Sequence, residues 1–219
     1  FGKLIAQEIS NITNIDFQES ANHFESQSTQ DSIVNLSGSL KTLSVSLYKI
    51  ANDIRWLGSG PRSGLGELVL PAVQPGSSIM PGKVNPVICE SLIQVSAQVI
   101  GNDSAITLGG LGGVFELNLM LPLIGYNILE SINILTNGVK MFRLKLIDGL
   151  EANEEKCKSY IEDSLAMCTS LAPIIGYDKA AMIAKKAYKK NKTIRQIAIE
   201  DNILSKEELD KILDPFSMI

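Results

Sequence analysis

The sequence predicts an all-α fold, a bundle of long helices over residues 1–148 followed by a small helical domain over 149–219. Three observations predict it. Apolar residues recur in alternating steps of three and four from Ile33 to Leu57, and similar periods return after Pro86 and after Pro122. After Asp148-Gly149 the helical segments become shorter and carry explicit caps. Between the first two long helices, residues 58–86 are rich in glycine and proline, an unusual length for a connection inside a compact domain.

Taken in order, Phe1, Leu4, Ile5, Ile9 and Ile12 share one face of an opening helix. The polar stretch Gln18 to Gln30 reads as a loop. It holds the only histidine, His23, which is read as a solvated residue because nothing around it would tune a catalyst. From Asp31 to Leu57 the seam Ile33, Leu36, Leu40, Leu43, Leu47, Ile50, Ile54, Leu57 makes a rod about 40 Å long. Val34, Val45 and Ala51 widen this stripe, so more than one neighbour must cover it. Gly58 and Pro61 should end the helix.

A second helix is expected from Pro86 to about Ile100, through Ile88, Leu92, Val95 and Val99. The very apolar region Ala105 to Ile128 is broken by glycines, Glu116, Asn118 and Pro122, which predicts a buried turn leading into a helix rather than a membrane span. A third long helix should run from Pro122 to about Lys145 on Ile124, Ile128, Ile132, Leu135, Val139, Phe142 and Leu146. Such helices pack nearly parallel, and uncovered faces would need other chains, which predicts a homo-oligomer. In the last third, helices are expected over Asn153–Thr169 and Tyr177–Lys190, and Thr193/Gln196 and Ser205/Glu208 have capping-box spacing. The lysines at 185, 186, 189, 190 and 192 read as a solvated face that could also attract an anion.

The 219 residues are 45% hydrophobic, enough for a real core, and the formal net charge of −4 argues against nucleic acid as a main partner. Cys89, Cys157 and Cys168 suit neither a zinc site nor a disulfide framework and read as packing residues of a cytosolic protein. No signal peptide is visible. The sequence opens at Phe1 without methionine and is expected to lack its natural N-terminus.

Chemistry concentrates in Gly76-Ser77-Ser78-Ile79-Met80-Pro81-Gly82-Lys83-Val84-Asn85-Pro86. Asn85 is expected as an N-cap with Pro86 at the first helical position, which sets Lys83 and Asn85 beside free N–H groups at the positive end of a helix. Leu65, Leu68, Val69, Leu70, Val73, Ile79 and Met80 are expected to anchor the loop to a core. From spacing alone the stretch reads equally as an anion site or as an ordinary surface loop before a capped helix.

These eleven residues resemble the mobile-loop signature of the aspartase/fumarase superfamily. The flanking Asn52 to Gly66, Gly82 and Val84 are similar to its class II fumarase and aspartase branch, and Ile175 to Ala187 resembles fumarase more than aspartase. The resemblance runs over essentially the whole chain but covers the C-terminal half or so of a full-length member. It implies a partial central helical domain, a tetramer with sites shared between subunits, a cytoplasmic location, and reversible anti hydration of fumarate to (S)-malate without metal or organic cofactor. It implies Ser77 as catalytic base, Ser78, Lys83, Val84 and Asn85 as contacts to a dicarboxylate substrate, and Glu90 as the partner of a histidine contributed from elsewhere. An aspartase-like ammonia lyase, a non-catalytic helical scaffold and a small anion-binding module are the other readings.

Overall fold

The structure is a computed structural model and describes residues 1–76, 79, 80 and 83–218. It divides into two compact units, Phe1–Trp56 with Leu70–Gly149, and Leu57–Val69 with the residues from Leu150 onward. The first unit holds α1 (Gly2–Thr13), α2 (His23–Ser28), α3 (Asp31–Leu57, but for its last residue), α4 (Val87–Gly110) and α5 (Leu121–Lys145). The second holds α6 (Glu154–Asp163), α7 (Ala172–Ile175), α8 (Tyr177–Lys190), α9 (Ile194–Glu200) and α10 (Lys206–Ile212).

The first unit is built on α4 and α5, whose antiparallel contact is the most extensive in the chain. At three levels seven residues apart, one member of the facing pair is small. A Cβ on Gly109 would stand 2.6 Å from Ile124 Cγ1, and one on Gly138 would stand 3.3 Å from Val95 Cγ1. Midway, Asn102 Nδ2 donates to Ser131 Oγ at 3.0 Å. Large residues fill the space beside this seam: Leu92, Val99, Ile106, Ile124, Leu135 and Phe142 are buried.

α4 runs ten residues past its expected end near Ile100. The polar run Gly101-Asn102-Asp103 does not break it, because both side chains are satisfied inside the bundle. Gln98 Nε2 donates to Asn102 Oδ1 at 2.8 Å, and Ser37 Oγ donates to Asp103 Oδ1 at 2.8 Å. The turn before the third helix, expected to be buried, is a tight hairpin, Gly113–Val114 against Leu117–Asn118, on which Leu111, Val114, Phe115 and Leu117 are exposed within this chain. Asn118 closes it by donating to Gly109 O at 3.1 Å and accepting from Met120 N–H at 2.7 Å.

α3 occupies the predicted residues, but its buried line is Ser37, Ser44, Ala51 and Ile54. Leu36, Leu43 and Ile50 of the expected seam are exposed, because the stripe spans two faces and one of them lies open within this chain. An apolar groove of about 520 Å³ follows the opening, lined by Leu40, Leu43, Ile132, Leu135, Val139 and Leu144 among others. The apolar residues of α1 are exposed as well.

Gln18 to Gln30 is not wholly loop, since α2 forms within it. Asn22 is the cause: its side chain accepts from Glu25 N–H at 3.3 Å and donates to Glu25 Oε2 at 3.4 Å, a reciprocal cap that starts a helix in a polar sequence.

In the second unit, Met167, Leu171, Ile183, Ala187, Ile194, Ile197, Leu209 and Leu213 form the core. The helix expected over Asn153–Thr169 ends at Asp163, where Ser164 turns to cap a following 3-10 segment, Leu165–Ser170. Both capping boxes form, at Thr193/Gln196 and Ser205/Glu208. The lysine run lies on a solvated face, where Lys186 pairs with Asp201, and Lys190 and Lys192 pair with Glu200. Among the described residues no helix is long and apolar enough to cross a membrane.

Candidate active site

The long connection is ordered in its first half by hydrogen bonds of its own. Glu67 N–H donates to Leu57 O at 2.9 Å, Gly66 N–H donates to Ser59 O at 2.8 Å, and Asn153 N–H donates to Glu67 O at 2.8 Å. Gly66 has φ 63°, a left-handed conformation suited to glycine, and the Gly60-Pro61 peptide is cis. Leu68 and Val69 pair with Ala152 and Glu151, and Tyr160 Oη donates to Gly64 O at 3.4 Å. Cys157 Sγ, 3.7 Å from Glu67 O, packs against the same turn. Residues 57–69 group with the C-terminal unit, whereas the sequence predicts 58–86 within the bundle domain.

The second half leads to the start of α4. Leu68 and Leu70 are half-buried, but Leu65, Val69, Val73, Ile79 and Met80, expected as anchors, are exposed. Backbone pairing rather than apolar burial holds this connection where it is held. Gly76 has φ 115°, a region that side chains rarely tolerate, and it lies immediately before the two serines.

Lys83 and Val84 are exposed, and Lys83 N–H donates to Met80 O at 3.3 Å. Asn85 is half-buried. Pro86, not Asn85, is the N-cap; Val87 is the first helical residue, and Pro86 O accepts from Glu90 N–H at 3.0 Å. The shift of one residue keeps Lys83, Val84 and Asn85 just outside the helix, where the first-turn N–H groups and the helix dipole favour an anion. Glu90 is half-buried, four residues in. Ser77 and Ser78, the expected base and its neighbour, lie outside the described residues.

Beside Glu90, Cys89 is fully buried, and burial pushes its thiol up to about 11. The Arg55 guanidinium opposes that rise, as does the backbone bond at Cys89, while the Glu90 carboxylate adds to it. Arg55 is a charge at this site that motif reading passed over. Its signal was its place in the last turn of α3, immediately before the loop. His23 stands apart in role: it opens α2, and its Nε2 lies 3.5 Å from Glu19 Oε1 on an exposed surface. Among the described residues no cluster of three or more His, Cys, Asp or Glu is arranged to hold a metal ion.

Antiparallel long helices with a glycine- and proline-framed connection ending at the N-terminus of the central one define the class, a helix-bundle protein. Residues 1–101 match the family model described as Lyase, and residues 167–219 match that described as Fumarase C C-terminus. A class II fumarate hydratase of Halalkalibacterium halodurans is 48% identical over 219 residues, covering 100% of this chain and 47% of the relative. A fumarate lyase:delta crystallin structure from Brucella melitensis has a TM-score of 0.92 at 46% identity, over 97% of this chain and 46% of that one. The class II fumarase structure from Schistosoma mansoni has a TM-score of 0.86 at 38% identity, over 99% of this chain and 47% of that one. Over its whole length the chain is similar to class II fumarate hydratases, and its two ends match the Lyase and Fumarase C C-terminus models. It spans about half the length of the curated relatives it matches.

Proposed function

We propose that this chain carries the loop and carboxylate clamp of a fumarate hydratase, which adds water reversibly and anti across fumarate to give (S)-malate. The observation that carries the reading is the placement of Lys83, Val84 and Asn85 directly before the N-terminus of α4, with the acidic Glu90 in its first turn. In the dehydration direction a base removes the proton from the carbon beside a carboxylate. That carbon is a weak acid, and the dianionic aci-carboxylate that forms must be met by concentrated positive charge and donors. The Lys83 ammonium, the Asn85 amide and the first-turn N–H groups supply them.

Ser77 is the base in this reading, and the chemistry requires N–H donors and the Lys83 charge to make its hydroxyl strong enough. Ser78 adds a donor. Departure of the malate hydroxyl as water needs a proton, which a histidine oriented by Glu90 delivers. His23, exposed and beside Glu19, does not fit that role, so the histidine is expected from outside these residues. The open groove between α3 and α5 supports a homo-oligomer, a tetramer with shared sites, and the family relationship supports a cytoplasmic location.

The test follows the ultraviolet absorbance of the fumarate double bond. The 219-residue chain alone is expected to be nearly inactive, and the protein at full gene length active on malate and inert toward aspartate. In that protein Ser77→Ala and Lys83→Ala should each lower kcat/KM by roughly a hundredfold or more. Unchanged turnover in Ser77→Ala would refute the assignment.

A further inference from the structure

α6 is a helix without a core face. None of its ten residues is buried, and Ile161, its one aliphatic residue of any size, is 39% exposed. Apolar burial therefore does little to hold it, and polar contacts at its two ends set its place. Near its C-terminus Glu162 accepts from Arg195 Nε at 2.9 Å, and the same guanidinium donates to Asp210, which ties α6 to α9 and α10. Toward its N-terminus the less exposed residues are Asn153, Lys156, Cys157 and Tyr160, spaced by three and four along one face.

That face meets the first half of the glycine- and proline-rich connection. Asn153 N–H donates to Glu67 O at 2.8 Å, Cys157 Sγ lies 3.7 Å from the same oxygen, and Tyr160 Oη donates to Gly64 O at 3.4 Å. Lys156 Nζ stands 4.5 Å over the Tyr160 ring and steadies it. The turn they touch is closed on itself: Ser59 accepts from Gly66 N–H with its carbonyl and from Leu65 N–H with its hydroxyl, and a Cβ on Gly64 would stand 2.4 Å from Ser59 C and O. Two of its carbonyls, those of Gly64 and Glu67, take their donors from α6 and the residue that caps it.

We propose that α6 is the seat of the connection's first half and that Tyr160 is a positioning residue for the candidate site, acting through Gly64. With residues 64–69 seated, the length to be arranged around a substrate begins at Leu70; unseated, it begins near Gly58. The cost of ordering a loop grows slowly with its length, so loss of the seat slows turnover several-fold rather than abolishing it. Lys83 and Asn85 adjoin α4 in either case, so the loss falls on kcat and not on KM. The effect on turnover rests on the fumarase reading, whereas the seat itself does not.

The test uses three variants. Tyr160→Phe keeps the ring and the Lys156 contact and removes the donor to Gly64; Asn153→Pro removes the N–H that Glu67 O accepts; Asn153→Ala keeps that N–H and gives up only the bond its side chain accepts from Lys156 N–H. In the 219-residue chain, hydrogen exchange at the Gly66 and Glu67 amides should quicken roughly three- to tenfold in Tyr160→Phe and Asn153→Pro, and less in Asn153→Ala. At full gene length the first two should lower kcat by roughly two- to tenfold with KM little changed, again more than Asn153→Ala. Exchange unaltered by Tyr160→Phe, Asn153→Ala as damaging as Asn153→Pro, or an unchanged kcat in an active enzyme would overturn the proposal. Quickened exchange in a protein without fumarase activity would leave the α6 seat standing and remove the function assigned above.

Discussion

Lys41 Nζ reaches Asp103 Oδ2 at 2.6 Å across sixty-two residues of sequence, and the Asp103 side chain is only 6% exposed while that of Lys41 is 45% exposed. A buried carboxylate with one ammonium and one hydroxyl partner is costly to strand and inexpensive to replace together with its partner.

Lys41→Met should therefore destabilise the bundle by about 2–3 kcal/mol, somewhat under the full cost of breaking a buried pair because Lys41 is half in solvent. Lys41→Met with Asp103→Leu should restore most of that loss. Urea unfolding of the three proteins decides the matter, and a double variant as weak as the single one contradicts it.

The glycines of the bundle divide by what surrounds them. Gly109→Ala would place its methyl 2.6 Å from Ile124 Cγ1, and the overpacking should cost about 1–3 kcal/mol in spite of alanine's better helix propensity. Gly125→Ala meets nothing within 4 Å and should gain roughly 0.5–1 kcal/mol. Opposite shifts in Tm are expected from the two substitutions.

The C-terminal unit depends on its caps. Thr193→Ala removes the side chain that accepts from Gln196 N–H at 3.2 Å and should cost about 1 kcal/mol. At the other box, the Ser205 N–H and then its hydroxyl donate to Glu208 and lower that carboxyl below its ordinary 4.5. A depressed acid stabilises above its unfolded value and loses that contribution as pH falls through the folded one. The Tm advantage of the parent over Glu208→Gln should accordingly be present at pH 6 and shrink as the solution is acidified below about pH 4.5. A gap that stays constant with pH would show that the bond does not act through the ionised form.

Cys89 offers a probe of the α4 start. With its thiol pushed to about 11 and fully buried, it should resist a disulfide reagent at pH 8, while the half-buried Cys157 and Cys168 react first. The sign for stability is the reverse of Glu208: a raised thiol favours folding below its unfolded value near 9 and loses that contribution as pH rises from there through about 11. Equal reactivity of all three thiols in the native state would contradict this burial.

Periodicity and punctuation made the long helices legible. α3 and α8 occupy the residues that apolar spacing, Gly58 and the lysine-rich end of α8 mark out, because those signals are local and act wherever the chain folds. The likeness to class II fumarases was legible in the identities of the loop motif. The continuation of α4 through Asn102 and Asp103 was not. Taken alone those residues stop a helix, and they are compatible with one only because Gln98, Ser131, Ser37 and Lys41 stand ready to satisfy them.

The sequence by itself determined the all-α class, the helix caps of the C-terminal unit and the placement of Lys83, Val84 and Asn85 ahead of a helix, since each depends on neighbours a few residues apart. Tertiary structure alone decided that Ser37, Ser44 and Ala51 form the buried line of α3 and that residues 57–69 join the C-terminal unit. Those outcomes come from hydrogen bonds and packing between residues tens of positions apart, whose energies no local pattern of spacing contains.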